Sequence, residues 1–199
     1  ELKSLSAKLN AAIFSAVRDD AGTTSAKLFN GFDTIAAAEI TAGNIAAGNG
    51  NFLQLGEAIT ASNALDVLKT IWRGTADEIQ ESETVKMFLP YSIYNMYNDD
   101  YQSTVGAAPY NKEFKKTFLE GSDNRCELVP LASKKGSQLI QVTTKQNMIV
   151  GTGNGNDLET LNVDRFNPFT LTLSSAILFG CQYETISKEK LMIAKLFQG

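Results

Sequence analysis

Between residues 62 and 101 the hydrophobic period changes from helical to alternating and back, and no other stretch constrains the fold as much. Ser62 or Asn63 can cap a helix whose buried stripe is Leu65, Leu68, Ile71, Trp72 and Ile79, with Asp66, Lys69, Arg73, Asp77 and Glu78 toward water. Thr84 to Leu89 then alternates, with Val85, Met87 and Leu89 pointing one way, and it stops at Pro90. Proline at a first helical position preorganises a helix, here one with Ile93, Met96, Tyr97 and Tyr101 on one face. Helix, strand and helix in so short a span call for helices layered on a sheet, an α/β or α+β arrangement.

The flanking sequence supplies more pieces of both kinds. Leu2, Leu5, Leu9, Ile13, Ala16 and Val17 recur at three- and four-residue steps, which predicts an amphipathic helix ending near Gly22. From Thr23 an extended stretch runs through Lys27 to Phe32, and then comes a small-residue tract from Ile35 to Ala47 whose alanines suit a short helix. A Gly/Asn loop spans Gly48 to Asn51. Ser103 to Asn124 reads as irregular, with a short helix in the middle where Phe114 and Phe118 sit four apart. Cys126 to Leu131, a turn at Lys134-Lys135-Gly136-Ser137 and Leu139 to Thr144 read as a hairpin, its first strand placed at an edge by Pro130. Phe169 to Phe179 and Cys181 to Ile186 are strand-like, and a last amphipathic piece spans Leu191 to Phe197.

Composition removes several function classes. With 199 residues and 43% hydrophobic content the chain can bury one substantial core or two small lobes sharing one. Its net charge of −4 gives no global field to hold nucleic acid or an anionic membrane. The apolar runs fall far short of the ~20 residues of a membrane span. There is no histidine, so Ser-His and Cys-His triads and His-ligated zinc or haem cannot be built within the chain. The chemistry left is that of carboxylates, Lys, Tyr or a carboxylate-bound Mg²⁺. Cys126 and Cys181 read as buried thiols, a single bridge being the alternative. The chain starts at Glu1, already in a helical pattern, and this reads as the loss of an upstream segment.

Four constellations are candidates for chemistry. Met148 to Val163 carries Gly151, Gly153 and Gly155 after an apolar run, like a phosphate-binding turn. The spacing is Gly-x-Gly-x-Gly, however, no Lys comes after it, and Asp157 and Glu159 stand where a phosphate would sit. Asp99 and Asp100 with Asp123 suggest a hard-metal or acid/base cluster, although nothing fixes a second ligand at a defined spacing. Lys112, Lys115 and Lys116 interleave with Phe114 and Phe118, a pattern that serves single-stranded nucleic acid or, more simply, a helix packing two Phe inward. Tyr91, Tyr94, Tyr97, Tyr101 and Tyr110 are dense enough to suggest a protein interface beside ordinary packing. None of these assigns a catalytic, cofactor-binding or metal-binding residue.

In their order the pieces resemble the major capsid proteins of tailed bacteriophages and prophages, the Hong Kong 97-type fold. The first helix with Asp19-Asp20-Ala21-Gly22-Thr23 and Phe29-Asn30-Gly31-Phe32 is similar to the end of that family's spine helix and the entry into its axial domain. The 62–101 unit is similar to the axial core. Asn147 to Gly153, Leu161-Asn162-Val163, Phe169 to Phe179 and Gly180-Cys181-Gln182-Tyr183 are similar to the return into the peripheral domain. The resemblance implies an α+β fold with a mixed-sheet axial domain over residues 25–150. It also implies a smaller peripheral domain made of a spine helix in 1–24 and strands in 151–199, trimmed of the family's N-terminal arm and extended loop. It further implies a non-enzymatic subunit that assembles with copies of itself, as hexameric and pentameric capsomers, into an icosahedral virion head built in the bacterial cytoplasm. No cofactor and no membrane are implied; scaffolding or portal proteins are further partners, and packaged DNA is met only non-specifically. The competing expectations are a carboxylate or Mg²⁺-dependent enzyme and a small nucleotide-binding module built on Gly151 to Asp157.

Overall fold

The computed structural model describes residues 2–106, 110–111, 116–152, 162–167, 170–174 and 179–198. In chain order these form α1 (Leu2–Ala12), α2 (Phe32–Thr41), β1 (Phe52–Gln54), α3 (Ala64–Arg73), α4 (Asp77–Glu81), β2 (Val85–Leu89) and α5 (Tyr91–Val105). After α5 come β3 (Tyr110–Asn111), β4 (Lys116–Thr117), β5 (Cys126–Pro130), β6 (Leu139–Thr144), β7 (Met148–Thr152), β8 (Asn162–Asn167), β9 (Thr170–Ser174), β10 (Phe179–Tyr183) and β11 (Leu191–Lys195).

A five-stranded mixed sheet in the order β1-β11-β6-β2-β5 organises the molecule. Its strands send alternate residues to opposite faces, and both faces are covered. Val85, Met87 and Leu89 of β2, Ile140 and Val142 of β6, and Met192 and Ala194 of β11 pack with α3 and α5 through Leu68, Ile71, Trp72, Ile93 and Tyr97. On the reverse face Phe88, Leu139, Leu191 and Ile193 pack with Phe14, Phe32, Ala36 and Tyr183. The sheet is therefore a central layer, and this is why β6 is buried along its whole length.

The 62–101 unit matches its sequence pattern, with one interruption. Helix α3 buries Ala64, Leu65, Val67, Leu68, Ile71 and Trp72, and carries Asp66 in its first turn and Arg73 in its last, the favourable sense of the helix dipole. The single helix expected to run through Ile79 breaks at Gly74. The Thr75 hydroxyl donates to the Trp72 carbonyl at 2.7 Å, and the short α4 then returns Ile79 to the core. Pro90 stands just ahead of α5, whose N-terminus begins at Tyr91.

Several expectations are corrected. The first helix ends at Ala12 rather than near Gly22, because the next residues bond to a distant segment instead of continuing the helix: Gly31, Phe32 and Asp33 donate backbone N–H to Ala16, Ile13 and Phe14. Lys27 to Phe32 is not extended; a 3-10 turn spans Ser25–Lys27 and α2 starts at Phe32. The strands β5 and β6 do not form a hairpin, since β2 lies between them, parallel to β5 and antiparallel to β6. A parallel pair needs a long crossover, and α5 with the segment after it provides one. Pro130 does stand on an edge strand. In place of a helix around Phe118, Lys116–Thr117 is strand and Phe118 bridges to Glu127; Phe114 lies outside the described residues. The last strand, β11, joins the central sheet between β1 and β6.

Candidate assembly surfaces and buried polar clusters

The acidic residues singled out in the sequence that the structure describes, Asp99, Asp100 and Asp123, do not form a cluster. Asp100 is buried on α5, and its Oδ2 accepts the backbone N–H of Leu65 at 2.7 Å. That N–H lies in the first turn of α3, where helical donors have no partner of their own, so Asp100 caps a helix from another element. Asp99 and Asp123 are exposed, and Asp157 and Glu159 lie outside the described residues. Among the described residues no group of three or more acidic or thiol side chains converges as metal ligands would. Asp123 and Asn124 instead form a tight turn with φ of 51° and 60°, closed by the Arg125 N–H on the Ser122 carbonyl. Replacing Asp100 with alanine is expected to strand the buried Leu65 N–H and lower stability by about 1–3 kcal/mol. Urea unfolding checks this, with Asp100→Asn retaining part of the loss.

The tyrosines of α5 are committed inside the molecule more than to an outer surface. The Tyr94 hydroxyl meets Thr117 Oγ1 at 2.7 Å, the Tyr97 hydroxyl accepts the Glu120 N–H at 3.0 Å, and the Tyr101 hydroxyl donates to Glu120 Oε2 at 3.2 Å. Burial raises the Tyr97 phenol above its ordinary range. Three successive turns of α5 thus stitch the 117–120 segment to the helix, and Tyr91, 52% exposed, is left facing out. The side chain of Tyr110 lies outside the described residues.

The lysine-aromatic pattern is only partly visible. Lys116 and Lys86 both reach Glu127 Oε2, at 3.1 and 2.7 Å. Burial alone would raise the Glu127 carboxyl, and the two ammonium groups outweigh it and hold it below its ordinary value. Lys112, Lys115 and Phe114 lie outside the described residues. Cys126 is buried and Cys181 half-buried, and both are free thiols. Burial pushes both thiols up, Cys181 to about 11, so neither is a ready nucleophile. Gly151 lies within β7 rather than in a turn, and Gly153, Gly155 and Asp157 are outside the described residues.

One buried polar cluster is one that the sequence did not point to. Lys134, wholly buried, places its ammonium 2.6 Å from Asp33 Oδ1 and 4.6 Å from the centre of the Phe14 ring. Gln141 Nε2 donates to the same carboxylate oxygen at 2.6 Å, and the Tyr183 hydroxyl reaches Gln141 Oε1 at 2.7 Å and the Phe32 carbonyl at 3.1 Å. Burial pulls the Lys134 ammonium below its ordinary value, against the pull of Asp33. The cluster joins α2, the 3-10 turn Ala132–Lys134, β6 and β10, so it fixes the α2 layer on the reverse face of the sheet.

A second small sheet sits beside this cluster. Strands β7 and β10 pair antiparallel from Met148↔Tyr183 to Thr152↔Phe179. One side of the ribbon packs inward: Met148, Cys181 and Tyr183 join the reverse-face core, and the Phe179 ring meets Phe29 edge-on at 4.7 Å. Among the described residues nothing covers the other side, with Ile149, Gly151, Gly180 and Gln182.

Comparison with known proteins shows the fold. No family model and no curated protein matches the chain. A chain of the satellite phage P4 procapsid including the size determination (Sid) protein superposes with a TM-score of 0.59 at 10% identity, over 98% of this chain and 60% of that one. The present chain thus spans about 60% of the length of that relative. The holo-SrpI encapsulin complex from Synechococcus elongatus gives 0.49 at 14% identity, over 76% of this chain and 54% of that chain. The architecture is α+β with a mixed sheet, of the Hong Kong 97-like kind.

Proposed function

We propose that the chain is the structural, non-catalytic subunit of a capsid shell, the major capsid protein of a tailed phage or prophage. The observation that carries this reading is the likeness to a procapsid chain over 98% of the present sequence, with the sheet, its two covered faces and the helices all included. The settings of the polar residues support it. Asp100 caps a helix, the α5 tyrosines staple a neighbouring segment, and Lys134 with Asp33 locks one layer to another, so the chemistry-bearing side chains serve rigidity. A shell subunit must be rigid, because one shape is repeated through many symmetric contacts.

On this reading residues 25–150 together with β11 form the axial body, and α1 with β8, β9 and β10 belongs to the peripheral one. The partners are copies of the chain in hexameric and pentameric capsomers, with scaffolding or portal proteins, and the icosahedral head assembles in the bacterial cytoplasm and encloses packaged DNA met only non-specifically. The net charge of −4 suits a container that must not adhere to its nucleic acid. Electron microscopy of the full-length protein after expression in bacteria tests the reading. Closed shells or capsomer rings are the expected result, and a species that stays strictly monomeric at high concentration overturns it.

A further inference from the structure

We infer that the β7–β10 ribbon is carried on a joint, and that two buried asparagines, Asn147 and Asn51, lock this joint at one angle to the central sheet. The inference goes beyond the shell reading and holds whether or not copies of the chain assemble. The ribbon continues the β6–β11 pair. Thr143 faces Leu191 at the end of the central sheet and Met148 faces Tyr183 at the start of the ribbon, so the same two antiparallel stretches of chain run through both. Between these pairs lie four residues, 144–147, on one side and seven, 184–190, on the other, a mismatch that no regular ladder spans. The two sheets are accordingly separate.

Side-chain hydrogen bonds take over where the ladder breaks. Asn147 is wholly buried, and its Nδ2 donates to Thr143 Oγ1 at 3.0 Å and to the Lys190 carbonyl at 3.4 Å. Its Oδ1 accepts the Thr185 N–H at 2.9 Å, and its own carbonyl accepts the Glu184 N–H at 2.9 Å. The buried Thr143 hydroxyl donates to the Lys190 carbonyl at 2.7 Å. One residue thus ties the end of β6 to both ends of the 184–190 segment. Asn51, just before β1, grips the middle: its Nδ2 donates to the Ile186 carbonyl at 2.8 Å while its Oδ1 accepts the Ala46 N–H at 3.0 Å. Buried amides engaged through both nitrogen and oxygen are directional and specify one arrangement, where an apolar contact would let the segment slide. The surroundings give the segment room once it is released. Glu184, Ser187, Lys188 and Lys190 are exposed, and a groove of about 480 Å³ is lined by Asn44, Asn49, Asn51 and Thr185 to Glu189. Hinges are a few residues at element ends that absorb a change of backbone angle, and 144–147 with 184–190 have that position. The inward contacts of Tyr183 with Gln141 and of Phe179 with Phe29 remain when the lock is removed, so its loss gives the ribbon a second position and not free motion.

Pulsed electron paramagnetic resonance tests this on the full-length protein carrying Cys181→Ser, with nitroxides attached through Gln182→Cys in β10 and Asn95→Cys in α5, both exposed positions. The buried Cys126 stays unlabelled, and dilution with unlabelled protein restricts the reading to distances within one chain. The parent is expected to give one narrow distance. Asn147→Ala and Asn51→Ala are each expected to add a second distance holding at least about a tenth of the molecules. Asn49→Ala is the control, since the Asn49 amide bonds the Gly43 and Asn44 carbonyls of its own loop, and it is expected to behave like the parent. A second distance in either joint variant, with the control single, upholds the lock. If Asn147→Ala does not fold, Asn51→Ala decides alone. A single distance in both variants, even with melting lowered, reduces the two asparagines to ordinary stabilisation and overturns the lock. Two distances in the parent, or in Asn49→Ala as well, also overturn it.

Discussion

Asp33→Ala is expected to lower the unfolding free energy by about 3–5 kcal/mol, because it strands a charge that water cannot reach. The Lys134 ammonium is completely buried and has the Asp33 carboxylate at 2.6 Å as its only ion-pair partner among the described residues, with the Phe14 ring face beside it. Gln141 loses its acceptor in the same step, and Tyr183, which depends on Gln141 and the Phe32 carbonyl, loses its orientation. The loss has a pH signature. Burial lowers the proton affinity of Lys134 from its ordinary 10.5 and Asp33 opposes that lowering, so removing Asp33 leaves the lowering unopposed. Below 10.5 the folded variant then binds fewer protons than its unfolded chain, and its stability rises with pH. The penalty is full below the folded-state pKa of Lys134 and is relieved as pH climbs toward 10.5. Denaturant unfolding at about pH 7 and about pH 9 should therefore show a smaller deficit at the higher pH, and Asp33→Ala/Lys134→Met should recover much of it. A deficit under about 1 kcal/mol at neutral pH, or one that grows with pH, would mean that the ammonium escapes to solvent.

The parts of this architecture that are legible in the sequence are those fixed by local period. Helix α3, strand β2 and helix α5 emerge from alternation and three-to-four spacing around Pro90, since each element buries a face the chain itself displays. Strand pairing is less legible. Alternation marks β5 and β6 as strands and says nothing about which strand lies beside them, so a hairpin inferred from their closeness in sequence fails when β2 takes the place between them. The buried polar groups carry no local signal. Lys134 sits in a Lys-Lys-Gly-Ser turn that reads as solvated, and its partner is 101 residues away. Asp100 looks like half of an acidic pair, and its role depends on a helix start 35 residues earlier. The tyrosine row is visible as a row, yet three of its hydroxyls hold the 117–120 segment instead of a partner. Long-range hydrogen bonds of this kind depend on the finished packing, which a single-sequence pattern does not encode.

Gly31→Ala is expected to cost about 3 kcal/mol, the upper part of the usual overpacking range, because what it strikes is backbone. Gly31 has φ −76° and ψ 168°, a conformation any residue adopts, so the demand for glycine comes from space alone. A Cβ there would lie 2.4 Å from the Phe14 carbonyl oxygen, 2.5 Å from its carbon and 2.8 Å from the Ile13 oxygen. No rotamer change relieves such a contact. The 13–16 segment must draw back, and it is tied in place by the Gly31, Phe32 and Asp33 N–H groups on Ala16, Ile13 and Phe14 at 2.8, 3.1 and 3.0 Å. Retreat also moves the Phe14 ring from Phe32 and Phe88, whose centroids lie 5.6 and 5.7 Å away, and from the Lys134 ammonium. The damage therefore spreads from a single methyl group to the whole reverse-face layer. Gly56→Ala is the matched control, since its added Cβ meets nothing within 4 Å among the described residues. It should be neutral or gain a few tenths of a kcal/mol, up to about 1, through the stiffer unfolded chain. Guanidinium unfolding of both variants separates the two causes. If Gly31→Ala falls within about 1 kcal/mol of Gly56→Ala, the α2 layer is docked loosely enough to yield, and the backbone seam is not what holds it to the sheet.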